Sequence, residues 1–323
     1  MRVALVRELG GPEVLVPAEM PDPVPGPGEV VIDVSHVDTL FVETQIRSGA
    51  FSDHFPVRPP YVPGGGIAGT VSTVGEGVDA GWAGRRVIAS VGFTGGYAEQ
   101  AATAADHLVP VPDELGLREA AALTHDGVTA AALMEATAPG PGERVLILGA
   151  SGGMGTLLVQ LTHAAGAHVI AVARGDRKTA LVREMGADDV IDGADTGWVE
   201  QARTALEAAG GPADVVLDGV GGAMGTAAFT LAADGGRFSA HGAPTGGFAP
   251  IDPQEAVRRG IGDVQLTDAE YVRLAGHALG EAAAGRLRPV IGHVYPLERA
   301  AEAHTAIEGR GLLGKVLLSA REG

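Results

Sequence analysis

Two textures of apolar and polar positions divide the chain. Up to about residue 120, short β-rich runs such as Val30-Val-Ile-Asp-Val34, Gly69-Thr-Val-Ser-Thr-Val74 and Arg86-Val-Ile-Ala-Ser90 are separated by proline and glycine clusters, Pro21 to Gly28 and Pro59 to Gly66. Such runs, bounded by turn residues, predict an antiparallel, barrel-like β domain. Beyond it, strand and helix patterns alternate: Arg144-Val-Leu-Ile-Leu148 and a helix over 153–165, His168-Val-Ile-Ala-Val-Ala173 and a helix over 177–185, Val190-Ile191 and a helix over 198–209. Asp214-Val-Val-Leu-Asp218, a helix over 222–232 and Arg237-Phe-Ser-Ala240 continue the series. Apolar strands between helices predict parallel β-α-β units with helices on both faces of the sheet. A helix-rich stretch over 268–310 ends in Lys315-Val-Leu-Leu318, a strand expected to return to the first domain. The reading is α/β in two domains, 1–121 with 264–323, and 122–263.

Composition narrows the chemistry. The 323 residues carry a formal charge of −17, which argues against nucleic acid or an anionic membrane face as the partner, since both call for basic patches. The apolar runs fall far short of the roughly 18 residues of a membrane span, and Met1-Arg-Val-Ala-Leu-Val-Arg7 enters a strand pattern directly, so a soluble cytoplasmic protein is expected. With no cysteine there is no disulfide, thiolate nucleophile or cysteine-ligated zinc. Arginine is common but lysine occurs only at 178 and 315, which makes those two positions worth following.

Gly149-Ala-Ser-Gly-Gly-Met-Gly155 lies between an apolar strand and an apolar helix. Glycines in this setting let the backbone, here Ala150, Ser151, Gly152, Gly153 and Met154, approach a pyrophosphate whose charge then meets the positive end of the helix. The same residues fit a nucleophile elbow around Ser151, with Asp218 and His241 following in hydrolase order. No His-Gly-Gly-Gly segment precedes that serine, and Gly155 is surplus to an elbow but serves close helix packing. At the end of the next strand stands Arg174, followed by Arg177 and Lys178, where a site for unphosphorylated ribose would place an acid. Arg174 and Lys178 suit a 2′-phosphate, so NADPH is expected over NADH.

These residues, together with Gly10-Gly-Pro-Glu-Val-Leu15, Ile46-Arg-Ser-Gly49, Tyr61-Val-Pro-Gly64, Gly95-Gly-Tyr-Ala-Glu99, Gly127-Val-Thr-Ala130, Asp214 to Gly222, Leu287-Arg-Pro-Val-Ile-Gly292 and Gly314-Lys315, resemble the zinc-free quinone oxidoreductase (ζ-crystallin-like) branch of the medium-chain dehydrogenase/reductase superfamily over essentially the whole chain. The resemblance implies a GroES-like β-barrel catalytic domain, a Rossmann doubly wound parallel sheet of order 3-2-1-4-5-6, an interdomain nicotinamide cleft and a homodimer. It gives Lys178 the 2′-phosphate and Lys315 a cofactor-side motif. Thr129 falls beside the nicotinamide, and Val220, Ala240, His241 and Gly242 on the wall that meets the carboxamide.

Departures from the family pattern are informative. Gly64-Gly65-Gly66 replaces the Gly-His-Glu of zinc-dependent relatives, so no metal is expected. Leu40 and Gln45 occupy the substrate-pocket positions where the quinone reductases often carry asparagine and tyrosine, and Gly193 replaces a tyrosine on the adenine side. Hydride reduction of a quinone or an α,β-unsaturated carbonyl (enone) needs orientation and a proton rather than a Lewis acid. His125, Asp126 and Tyr61 are the candidate catalytic residues, with Tyr61 also on the pocket wall; His163, His168, His277 and His304 read as helix-face or surface residues. A non-catalytic NADPH-binding or structural protein is the alternative, and an esterase using Ser151 the third reading.

Overall fold

The computed structural model describes residues 1–50, 55–252, 254–255 and 268–321. Its contacts divide the chain into two compact units, Met1–Val128 with Thr267–Gly323, and Thr129–Leu266. The first passes beyond residue 121 because the short helix Leu117–Ala121 packs on the strands Glu29–Asp38 and Gly66–Val74. The expected second boundary, at 263/264, lies outside the described residues.

In the first unit a seven-stranded sheet runs Ile291–Pro296, Lys315–Ser319, Glu29–Asp38, Gly66–Val74, Arg86–Ser90, Leu108–Pro110, with Gln100–Ala104 also pairing Glu29–Asp38. The pairings are antiparallel except for Ile291–Pro296 with Lys315–Ser319, whose parallel crossover carries the helix Ala300–Glu308. The C-terminal strand enters this sheet by pairing Leu317 with Asp38 and Ser319 with His36. Strand alternation drives Val30, Ile32, Val34, Ile67, Val71 and Leu318 into one core. Arg2–Val6 and Leu15–Glu19 form a separate antiparallel pair.

The second unit has a parallel five-stranded sheet in the order Asp189–Asp192, His168–Ala173, Arg144–Leu148, Ala213–Asp218, Ala232–Ala240. This is the 3-2-1-4-5 part of the expected order. The stretch that would supply a sixth strand includes 253 and 256–267, outside the described residues. Leu146, Leu148, Ile170, Val172, Val216 and Phe238 are buried, as strands covered by helices must be. In this arrangement the strand ends Leu148, Asp218 and Ala240 stand side by side, at the edge where ligands bind open α/β sheets.

Candidate active site

The glycine loop joins the strand Arg144–Leu148 to the helix Gly153–Ala164. Gly149 has φ +69°, a left-handed conformation that favours glycine. A Cβ at Gly155 would overlap the Gly149 carbonyl oxygen and lie 2.7 Å from the Ala150 backbone, so this glycine lets the helix close onto the turn. No side chain caps the helix, and its first N–H groups have no intrahelical acceptor. Ala150 is buried and its N–H donates to the Val172 carbonyl at 3.2 Å, while Ser151 is 7% exposed. Together with Gly152, Gly153 and Met154 they form a cradle that fits a dinucleotide pyrophosphate.

Two neighbouring strand ends complete this rim. Val220 Cγ2 is 3.3 Å from where a Gly149 Cβ would stand. The N–H groups of Val220 and Gly221 donate to Asp218 Oδ1, both at 2.9 Å, and Thr245 Oγ1 donates to the Val220 carbonyl at 3.0 Å. His241 and Gly242 follow Ala240 and donate their N–H groups to the Asp218 carbonyl at 3.0 and 3.2 Å. The carboxyl of Asp218 is buried, which raises its pKa; Oδ1 caps the turn and, among the described residues, Oδ2 has no hydrogen-bond partner. It is therefore not arranged to orient the histidine of a Ser151 triad.

At the end of His168–Ala173, Arg174 is exposed and its Nη2 lies 3.4 Å from Met224 Sδ. Lys178 follows, half-buried, in the helix Asp176–Glu184. The nearby Asp192 accepts from the N–H groups of Gly175 (3.0 Å) and Ala194 (2.9 Å), bonds that lower its pKa. A Cβ at Gly193 would stand 2.9 Å from Val172 Cγ1 and 3.3 Å from Met224 Cε, so the backbone here is packed closely around the arginine stem.

The first unit holds the remaining candidates. Tyr61 is 9% exposed and its hydroxyl, among the described residues, has no hydrogen-bond partner; burial pushes its pKa up to about 12. His125 donates its backbone N–H to Asp38 Oδ2 at 3.2 Å, and burial lowers the pKa of its ring. Asp126 begins the helix Asp126–Thr137, in which Thr129 lies one turn on. Leu40 precedes the helix Phe41–Ser48, which carries Gln45. Lys315, expected to serve the cofactor, is instead buried with its ammonium 2.5 Å from Asp38 Oδ1 and 3.1 Å from Asp126 Oδ2. The reason is register: pairing Leu317 with Asp38 sets Lys315 beside the end of the strand Glu29–Asp38, where burial requires charges to be neutralised.

Sequence reasoning missed a second buried polar group. Glu43 accepts from the Leu40 N–H (2.8 Å), the Gly65 N–H (3.1 Å) and the Tyr97 hydroxyl (2.7 Å). His304, read as a helix-face or surface residue, lies on the helix Ala300–Glu308 but is fully buried, which removes the surface alternative. Arg47 can only donate, so its Nη1, 3.1 Å from His304 Nδ1, makes that nitrogen an acceptor; the proton sits on Nε2, 2.9 Å from the Tyr97 oxygen. The hydrogen bonds thus run one way, from Arg47 through His304 and Tyr97 to Glu43. Ala300 and Ala303, small and buried on the same helix face, are the signal that could have placed His304 inside.

Side chains have no room in the glycine triplet. A Cβ at Gly65 would overlap the Gly92 carbonyl oxygen, and one at Gly66 would lie 2.8 Å from Thr124 Cγ2. No group of three His, Cys, Asp or Glu suited to a metal occurs among the described residues, and no helix among them is long and apolar enough to cross a membrane.

A β unit interrupted by a parallel-sheet unit with a glycine-loop cradle defines a two-domain dehydrogenase or reductase. Comparison agrees: the family described as alcohol dehydrogenase GroES-like domain matches residues 26–113, and that described as zinc-binding dehydrogenase matches 153–262. A quinone oxidoreductase of Mus musculus is 34% identical over 98% of this chain and 97% of its own length. Escherichia coli quinone oxidoreductase, solved with NADPH, aligns with TM-score 0.90 at 25% identity over 99% of this chain and 100% of its own. A mycobacterial protein solved with NADPH gives 0.89 at 30% identity over 99% of both chains. The chain belongs to the medium-chain dehydrogenase/reductase superfamily, among its quinone oxidoreductases of the ζ-crystallin-like kind.

Proposed function

We propose that this protein is an NADPH-dependent oxidoreductase that reduces a quinone or an enone without a metal. The observation that carries the reading is the glycine cradle with Arg174 at the end of the adjacent strand and Lys178 in the first turn of the helix that follows it. When bound, the nicotinamide cofactor supplies the hydride. Ala150 to Met154 would hold the pyrophosphate, Arg174 and Lys178 the 2′-phosphate, and Thr129, Val220, Ala240, His241 and Gly242 the nicotinamide end. Leu40, Gln45 and Tyr61 would line the acceptor pocket. Metal independence is supported by a chain without cysteine and by a triplet too tightly packed for the His and Glu of zinc-dependent relatives. Two NADPH-bound structural neighbours favour this cofactor, and the family resemblance favours a homodimer.

The test of the cofactor assignment is Lys178→Ala. Losing a charge-assisted contact of about 1.5–3 kcal/mol should raise KM for NADPH roughly 10- to 100-fold. KM for NADH, measured alongside, should change less than about twofold. Equal effects on both would remove Lys178 from the phosphate site.

His125 is proposed to pass the proton to the reduced acceptor. Its lowered pKa, caused by burial, keeps the imidazolium scarce at neutral pH but makes it a stronger acid when formed. His125→Ala should lower kcat on the order of 10²-fold, the size of a typical general-acid contribution, with cofactor affinity unchanged. An unchanged kcat would leave His125 as a wall residue. Stopped-flow oxidation of bound NADPH by a panel of quinones and enones separates this reading from that of a non-catalytic NADPH-binding protein, which would show no oxidation.

A further inference from the structure

Tyr271 stands in the first turn of the helix Asp268–Ala283. Its hydroxyl oxygen is buried and, among the described residues, has no hydrogen-bond partner. The contrast with Tyr97 is direct, because there the hydroxyl donates to Glu43 and accepts from His304. Buried polar atoms are nearly always paired, and phenylalanine would fill the same space without stranding a donor. A hydroxyl kept in such a place is explained when a ligand supplies the acceptor.

The surroundings say what kind of ligand. The same helix packs Ala278 against Gly127, directly after His125 and Asp126: a Gly127 Cβ would lie 3.1 Å from Ala278 Cβ. Asp38 is fully buried, holds the His125 N–H and shares Lys315 with Asp126. Its charge and burial both raise the pKa of the Tyr271 phenol, which therefore remains a neutral donor. Two carboxylates facing one ammonium leave no surplus positive charge for an anionic ligand. Leu40, a pocket candidate, lies two residues beyond Asp38 in the chain.

We propose that the Tyr271 hydroxyl donates a hydrogen bond to an uncharged carbonyl oxygen of the acceptor, so that the protein selects neutral quinones or enones over anionic ones. This rests on the reading of the protein as a reductase of carbonyl-bearing acceptors, and names the group that grips the carbonyl.

The test compares wild type with Tyr271→Phe at physiological salt, using a neutral naphthoquinone and its sulfonated counterpart. Equilibrium dialysis of the neutral quinone with NADP⁺-loaded protein and thermal unfolding are measured on the same samples. Loss of one neutral hydrogen bond should lower kcat/KM for the neutral quinone roughly tenfold. Wild type should prefer the neutral quinone over the sulfonated one by about tenfold or more, and Tm of the variant should be equal or higher because no internal bond is removed. A kcat/KM within twofold of wild type, a lower Tm, or equal use of both quinones overturns the proposal. If wild type reduces no quinone or enone, the functional reading fails and dialysis decides alone. Binding to Tyr271→Phe several-fold weaker than to wild type then supports the contact, and equal or absent binding ends it.

Discussion

Replacing Lys315 by Met is expected to cost about 3–5 kcal/mol of folding stability, measured by urea unfolding, because it strands two buried carboxylates. Lys315 and Asp126 have side chains only 6% and 8% exposed, and Asp38 has none exposed. The penalty should grow with pH. Burial holds the Asp38 pKa well above its ordinary value, so the native group takes up its proton at a higher pH than the unfolded chain does. Stability from this group is complete at lower pH and falls as pH rises towards the folded pKa. Removing Lys315 raises that pKa further, so the deficit should be larger at pH 8 than at pH 5. Adding Asp38→Asn should recover a substantial part of the loss, the non-additivity expected of partners in one network. An equal deficit at both pH values would show that water, rather than Lys315, solvates the pair.

Glu43→Gln should change the slope of stability against pH. Burial raises the Glu43 pKa to about 7, whereas burial and then the Arg47 charge lower that of His304 to about 3. Between roughly pH 4.5 and 6.5, native Glu43 holds a proton that the unfolded chain lacks, and unfolded His304 holds one that the native ring lacks. One group therefore loses stability as pH rises, the other as pH falls, and in wild type the two slopes oppose. With Gln at 43 that opposing slope is removed, and the slope of stability against pH should be more positive than in wild type by about 1.4 kcal/mol per pH unit across that window. Urea unfolding at closely spaced pH values reads this directly. A variant whose profile parallels wild type would mean that Glu43 does not titrate there.

The parts of the fold and site that were legible share one property: their signal is local. The cradle over 149–155 needs small residues at fixed steps between a strand and a helix, and the structure places Gly149 in a left-handed turn and Gly155 against it. The position of Arg174 was readable because a strand end is a place in the sequence as well as in space. Lys315 was not, since its partners are 277 and 189 residues away and only strand register brings them together. A Gly-Lys pair looks the same in a sequence whether the ammonium meets a phosphate or two aspartates. His304 was missed for a related reason: an isolated histidine in an alanine-rich helix shows its buried face only when Tyr97 and Arg47 arrive from elsewhere in the chain.

By itself the sequence determined the two textures, the α/β class, the glycine loop, the two lysines and the absence of cysteine, because periodicity, turn chemistry and composition act over a few residues at a time. Its motifs, through family resemblance, also reached the superfamily to which the chain belongs. Only the tertiary structure decided which ionisable groups are buried, which of them neutralise one another and which hydroxyls, among the described residues, are left without acceptors. Those outcomes depend on desolvation and on pairings across distant segments, and neither quantity exists until the strands Glu29–Asp38 and Lys315–Ser319 and the helices Asp268–Ala283 and Ala300–Glu308 are in place.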